Sequence, residues 1–141
     1  MRRNIFTALF IVLGLLLTSF AQQQEVKKVP VKPTSAASGE EMFKTYCAVC
    51  HGNKGKGDGP AAPALKASMT DLSTLAQKNG GKYPALKVAA ILRGEEPLAA
   101  HGSKEMPIWG NLFWSVSGGS QAEVKLRIAN LNRYLESLQQ K

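Results

Sequence analysis

The chain has 141 residues, 44% of them hydrophobic, which is room for one domain of ordinary size. Its 18 basic and 10 acidic residues give a formal charge of +8, but the lysines and arginines are spread along the chain without a block interleaved with aromatics. Nucleic acid is therefore excluded as the expected partner, and an acidic protein surface or an anionic membrane fits the charge better.

Arg2 and Arg3 precede an apolar run from Ile5 to Leu17, and Ser19 and Ala21 are small residues placed for a cut after Ala21. That is the layout of a secretory signal peptide, so residues 1–21 are read as one. The run of about 13 residues falls short of the roughly 20 that cross a bilayer as a permanent helix; an uncleaved anchor is the alternative. The protein is thus expected to be periplasmic or exported, with tethering to the membrane by its N-terminus as the variant of that reading. Loss of Arg2 and Arg3 leaves 16 basic residues against 10 acidic ones, a formal charge of +6. Residues 22–38 (QQQEVKKVPVKPTSAAS) are polar, carry two prolines and lack apolar periodicity, as a disordered tether would.

Residues 39–141 make up the expected domain. Ser38 or Gly39 opens a first helix in which Met42, Phe43, Tyr46 and Val49 recur at steps of three and four, and which ends near Cys50. It closes on YCAVCHG, which holds both cysteines of the chain. Export permits a Cys47–Cys50 disulfide, but a redox C-x-x-C opens a helix after a strand, and this one closes a helix with no strand-like alternation nearby. Structural zinc takes four ligands, commonly as two pairs. Here Cys47, Cys50 and His51 have only the distant His101 to complete the set, and His51 abuts Cys50. C-x-x-C-H is the attachment signature of c-type haem. Residues 47 and 50 lie about one helical turn apart, so both sulfurs can reach the two vinyl groups of one porphyrin as thioethers, and His51 follows as an axial ligand to the iron.

Downstream, Pro60 and Pro63 break the loop, and Thr70 or Asp71 can cap a short helix over DLSTLAQK that Asn79-Gly80-Gly81 stops. Pro84 fits the first turn of the next helix, PALKVAAILR, and Gly94 fits its end, with Leu86, Ala89, Ala90 and Leu92 as the apolar stripe. Residues 95–107 read as loop, and Trp109 to Trp114 as a turn of helix. Ser120-x-x-Glu123 is a capping box, and Val124, Ile128, Leu131, Leu135 and Leu138 form the buried stripe of the helix it opens. No strand and no internal repeat is read. The fold class is all-α, about four to five helices around one haem, with Tyr83, Trp109, Phe113 and Trp114 expected to pack near it.

On these residues the chain from about Gly39 to Leu138 resembles the class I, single-haem c-type cytochromes of bacteria. Gly39 and Phe43 match that family's glycine and aromatic in the first helix; Leu131 and Tyr134, in LNRYL, match the apolar and aromatic pair of its last helix. HGNKGKGDGPAAPAL looks like the glycine-rich stretch that wraps the haem, and HGSKEMPIWG like the loop that delivers a distal methionine. The resemblance implies the cytochrome c fold, one haem c bound covalently through Cys47 and Cys50, and a close crossing of the two helices at Gly39.

It also directs attention to Met106, which lies 55 residues beyond His51 and precedes Pro107, a neighbour that holds it extended. A thioether is a soft ligand that favours reduced iron and raises the reduction potential. Met1 leaves with the signal segment, Met42 sits within the first helix, and Met69, 18 residues past His51, is expected to pack near the haem edge. His101 is the competing ligand; its expected place is the domain surface or a haem propionate.

With both axial positions filled, by His51 and Met106, no coordination site is open to substrate. The expected function is one-electron carriage, not enzymatic catalysis. The alternatives are a haem subunit or domain of a larger respiratory complex, or a peroxidase-like or gas-sensing protein in which Met106 is displaced. Lys44, Lys54, Lys56 and Lys104 outnumber Asp58 and Glu105 around the expected haem edge, which implies redox partners with acidic docking surfaces.

Overall fold

The computed structural model describes residues 31–65, 68–95 and 108–140. Among them every regular element is helical and none is a strand. The first rod starts at Ser38, whose hydroxyl accepts the Glu41 N–H at 3.1 Å, with Glu40 and Glu41 in the first turn where the helix dipole favours acids. It runs as α1 (Gly39–Met42), a π-helical stretch (Phe43–Cys47) and α2 (Ala48–His51). The apolar spacing predicts one regular helix here. The rod is continuous, but the Ala48 N–H reaches back to the Phe43 carbonyl, so one turn holds an extra residue immediately before the cysteines.

A 3-10 turn (Ala62–Ala64) follows, and a second one (Leu72–Thr74) is capped by Asp71, which accepts the Ser73 N–H at 2.9 Å. It leads into α3 (Leu75–Lys78); α4 (Ala85–Arg93), α5 (Trp109–Val116) and α6 (Gln121–Ser137) come next. Only half of the capping box forms on α6. The Ser120 hydroxyl accepts the Glu123 N–H at 3.3 Å, while the Glu123 carboxylate turns away to Arg127 at 2.7 Å.

The first rod crosses α6 at Gly39. A Cβ there would lie 2.7 Å from the Asn130 carbonyl carbon and 2.8 Å from the Tyr134 Cβ, so the crossing requires glycine. One turn on, the Phe43 ring meets the Tyr134 ring at 5.4 Å between centroids, and Leu131 is fully buried beside them. Ile128 and Leu135 extend this buried stripe, with Val124 and Leu138 partly covered.

Two expected core positions are not in the core. Leu86 is 88% exposed, because α4 buries Val88 and Leu92 with Ala85 and Ala89 beside them, a face that Leu86 does not share. Trp114 is 52% exposed and rests its ring against Gly119, whereas Trp109, Phe113 and Tyr83 are buried.

The part of the expected tether that is described, residues 31–38, lies against the domain. Arg127, only 3% exposed, donates from Nη1 to the Thr34 carbonyl at 2.9 Å, and Asn130 donates from Nδ2 to the Ala36 carbonyl at 2.9 Å. The same guanidinium donates from Nε to the Ser117 hydroxyl at 2.9 Å and pairs through Nη2 with Glu123. A buried cation is tolerated here because each of its nitrogens has a partner.

Candidate functional site

The end of the first rod opens onto a cavity of about 430 Å³. Cys47, Cys50 and His51 lie on one wall; Leu72 and Leu75, then Val88, Ile91 and Leu92 of α4, Trp109 of α5 and Leu135 of α6 supply apolar walls around them. Cys47 and His51 are 8% and 7% exposed, and Cys50 is partly exposed. Both cysteines are free thiols.

Burial, and secondarily the neighbouring Cys50, pushes the Cys47 thiol up to about 12. Burial thus favours the neutral form of this thiol. Among the described residues no cluster of three or more His, Cys, Asp and Glu side chains forms a metal cage. A thiol can also add across a carbon–carbon double bond, where sulfur joins one carbon and the hydrogen the other, with no net oxidation.

His51 is oriented from behind. Its Nδ1 lies 3.3 Å from the Thr70 carbonyl, which can only accept, so Nδ1 carries the hydrogen and the ring keeps its lone pair on Nε2. The glycine-rich loop supplies the remaining restraint. Gly57 N–H donates to the His51 carbonyl at 2.9 Å, Gly59 N–H to Cys50 at 3.2 Å, and Ala61 N–H to Val49 at 2.9 Å. These are the carbonyls that the end of a helix leaves unpaired, so the loop caps the motif while holding its shape. The Leu72 N–H bond to the Gly55 carbonyl, 2.6 Å, ties the segment that carries Thr70 to the same loop.

Met69 lines the cavity and lies one residue before Thr70, whose carbonyl meets the His51 ring. Met106 and His101 lie outside the described residues, as do Lys104 and Glu105. The residues flanking that segment are placed. Gly94 has φ +80°, and a Cβ on it would lie 2.5 Å from Cγ2 of Ile108; one on Gly110 would lie 2.9 Å from the Arg93 carbonyl oxygen. The segment thus leaves and returns at one point, next to Leu92 and Trp109 of the cavity wall.

Three features of the site have no counterpart in the sequence reading. Tyr46 lines the cavity, stacking on Trp109 at 5.9 Å with 30° between the rings; its place beside Cys47 was the available sign. Thr70 acts only through its carbonyl, which a sequence does not mark. Lys78 and Lys87 are the charged side chains of the described lining, on either side of the turn around Asn79 and Pro84. Of the four aromatics expected beside the haem, Trp109 lines the cavity, Phe113 packs behind it at 6.1 Å, and Tyr83 and Trp114 do not line it.

Two thiols, one oriented imidazole and an otherwise apolar chamber fit haem c: an apolar body, two vinyl partners and one nitrogen ligand. A sequence model of the family described as Cytochrome c matches residues 36–139. No curated protein and no solved structure matches the chain.

Proposed function

The chain belongs to the cytochrome c family, and from that premise we propose that it is a one-electron carrier of the bacterial periplasm or cell envelope, with His51 and Met106 as the two axial ligands. Family membership brings haem-based electron transfer and a haem c bound covalently by cysteine, here Cys47 and Cys50. The haem supplies the one-electron chemistry, its iron passing between ferrous and ferric states. The observation that carries the reading is the buried His51 ring, set by the Thr70 carbonyl beside two thiols in an apolar cavity.

Each group has a definable task. Cys47 and Cys50 anchor the vinyl edge, and His51 presents Nε2 as a ligand whose basicity is raised by the Nδ1 hydrogen bond. Val88, Leu92, Leu72 and Trp109 exclude water, which disfavours the more highly charged oxidised state and raises the potential. Lys78 and Lys87 bring cations to the lining of the chamber, which would offset the carboxylates of the group. Support for Met106 comes from the closed base of its segment on the cavity wall and from Met69, which adjoins Thr70, whose carbonyl meets the His51 ring. A filled sixth position leaves no open site, which favours carriage over catalysis.

Residues 1–21 support the exported location. The docking surface is narrower than four lysines: Lys44 pairs with Glu40 at 2.7 Å, whereas Lys54 and Lys56 are exposed and form no ion pair with a described residue. An acidic partner is the match for them.

Visible spectroscopy on the exported protein tests the ligand set. Met106→Ala should abolish the weak red-edge band of the ferric state, lower the potential and admit carbon monoxide, while Met69→Ala and His101→Ala keep the band. Loss of the band in Met69→Ala or His101→Ala, with Met106→Ala unaffected, would falsify the assignment.

A further inference from the structure

We propose that the arm of residues 31–38 is a working part of the redox site, in which Arg127 and Thr34 are positioning residues that hold Tyr46 in the cavity wall and thereby set the reduction potential. The inference rests on the haem reading above but not on the identity of the distal ligand.

The bonds run in one direction. Arg127 Nη1 donates to the Thr34 hydroxyl at 3.1 Å and to the Thr34 carbonyl at 2.9 Å. The Thr34 hydroxyl then donates to the Tyr46 hydroxyl oxygen at 3.1 Å, and Tyr46 donates to the Lys32 carbonyl at 2.6 Å. A guanidinium only donates and a carbonyl only accepts, so every hydrogen between them has one available place. Chains of this kind polarise and strengthen each member.

Tyr46 is where the chain meets the site. It lines the cavity beside Cys47, stacks on Trp109 at 5.9 Å and packs against Phe113 at 6.2 Å. Trp109 stands just after Ile108, the returning foot of the segment that carries Met106. With its hydroxyl held by the arm, the Tyr46 ring cannot swing out and admit water.

The test uses the full-length holoprotein and reads the reduction potential, with amide exchange over residues 35–38 as a second measurement. Thr34→Val and Tyr46→Phe should each lower the potential, and the double variant should fall no further than the larger single change. Arg127→Met should lower it and speed exchange in the arm, and Arg127→Lys should recover part of both. Unchanged potentials in Thr34→Val and Tyr46→Phe, or shifts that simply add in the double variant, overturn the proposal and leave the arm an anchor alone. Failure of the haem reading shows separately, as absence of covalent haem in the unsubstituted protein, and overturns both.

Discussion

Gly94 and Ile108 close the two ends of one segment onto each other: a Cβ on Gly94 would stand 2.5 Å from Ile108 Cγ2. Gly94 also holds φ +80°, a left-handed conformation that side chains rarely adopt. Gly94→Val adds strain of roughly 1–3 kcal/mol and drives the foot of the segment off the wall. We expect a lower thermal midpoint together with a weakened red-edge band in the ferric spectrum. An unchanged band would separate this closure from distal ligation.

Gly39→Val probes a different contact. The incoming atoms meet the Asn130 backbone and the Tyr134 Cβ, neither of which can rotate aside. Overpacking of this kind costs about 1–3 kcal/mol, so the denaturation midpoint should fall while the haem spectrum stays ordinary. A midpoint equal to that of the unsubstituted protein would argue against the close crossing.

Tyr83 links the start of α4 to α6. It donates to Asn132 Oδ1 at 2.7 Å, and Asn132 Nδ2 donates to the Ala85 carbonyl at 2.8 Å. Burial first, and Glu136 second, hold the phenol ionisation well above its ordinary value. A raised folded-state value means the contribution is intact below the unfolded value of about 10 and is lost as pH rises above it. Tyr83→Phe should cost about 1 kcal/mol at neutral pH and show a shallower alkaline decline, read from urea midpoints across that range. Parallel declines in the two proteins would remove Tyr83 as the titrating group.

Lys54→Gln with Lys56→Gln should slow electron transfer with an acidic partner and flatten its salt dependence, leaving the potential unaltered. The Debye length is about 10 Å at 0.1 M, so a steered rate falls steeply as salt rises through that range. A rate independent of ionic strength in the unsubstituted protein would mean that these lysines serve solubility only.

The helical parts of this fold were legible where a residue type has few uses. Ser120 announces the start of α6 and the family resemblance implies the crossing of Gly39 with Tyr134, and both are found in place. Less could be read where an outcome depends on which neighbour arrives. Leu86 and Val88 are equally apolar, and only the rotation of α4 decides that Leu86 faces out. Arg127 looks like one more charge on a solvated helix face until Thr34, Ser117 and Glu123 converge on it. The polar composition of residues 31–38 suggests a disordered tether and does not reveal a backbone whose carbonyls are taken up by α6, with Thr34 buried. The sequence marks His51 as a candidate ligand and does not mark Thr70, because the partner of Nδ1 is a main-chain oxygen that any residue could supply.

The depth of Cys47 bears on how the protein is made. Cys47 ends the π-helical stretch of the first rod on the wall of the cavity, and at 8% exposure it is largely covered once the helices close. The bond to Cys47 is therefore expected to form while the chain is still open, before the Gly39 crossing and the arm lock the rod in position. Maturation becomes a race between a chemical coupling and a collapse. Substitutions that hasten or stabilise closure of the empty chain should lower the yield of finished protein, although they would strengthen it once made.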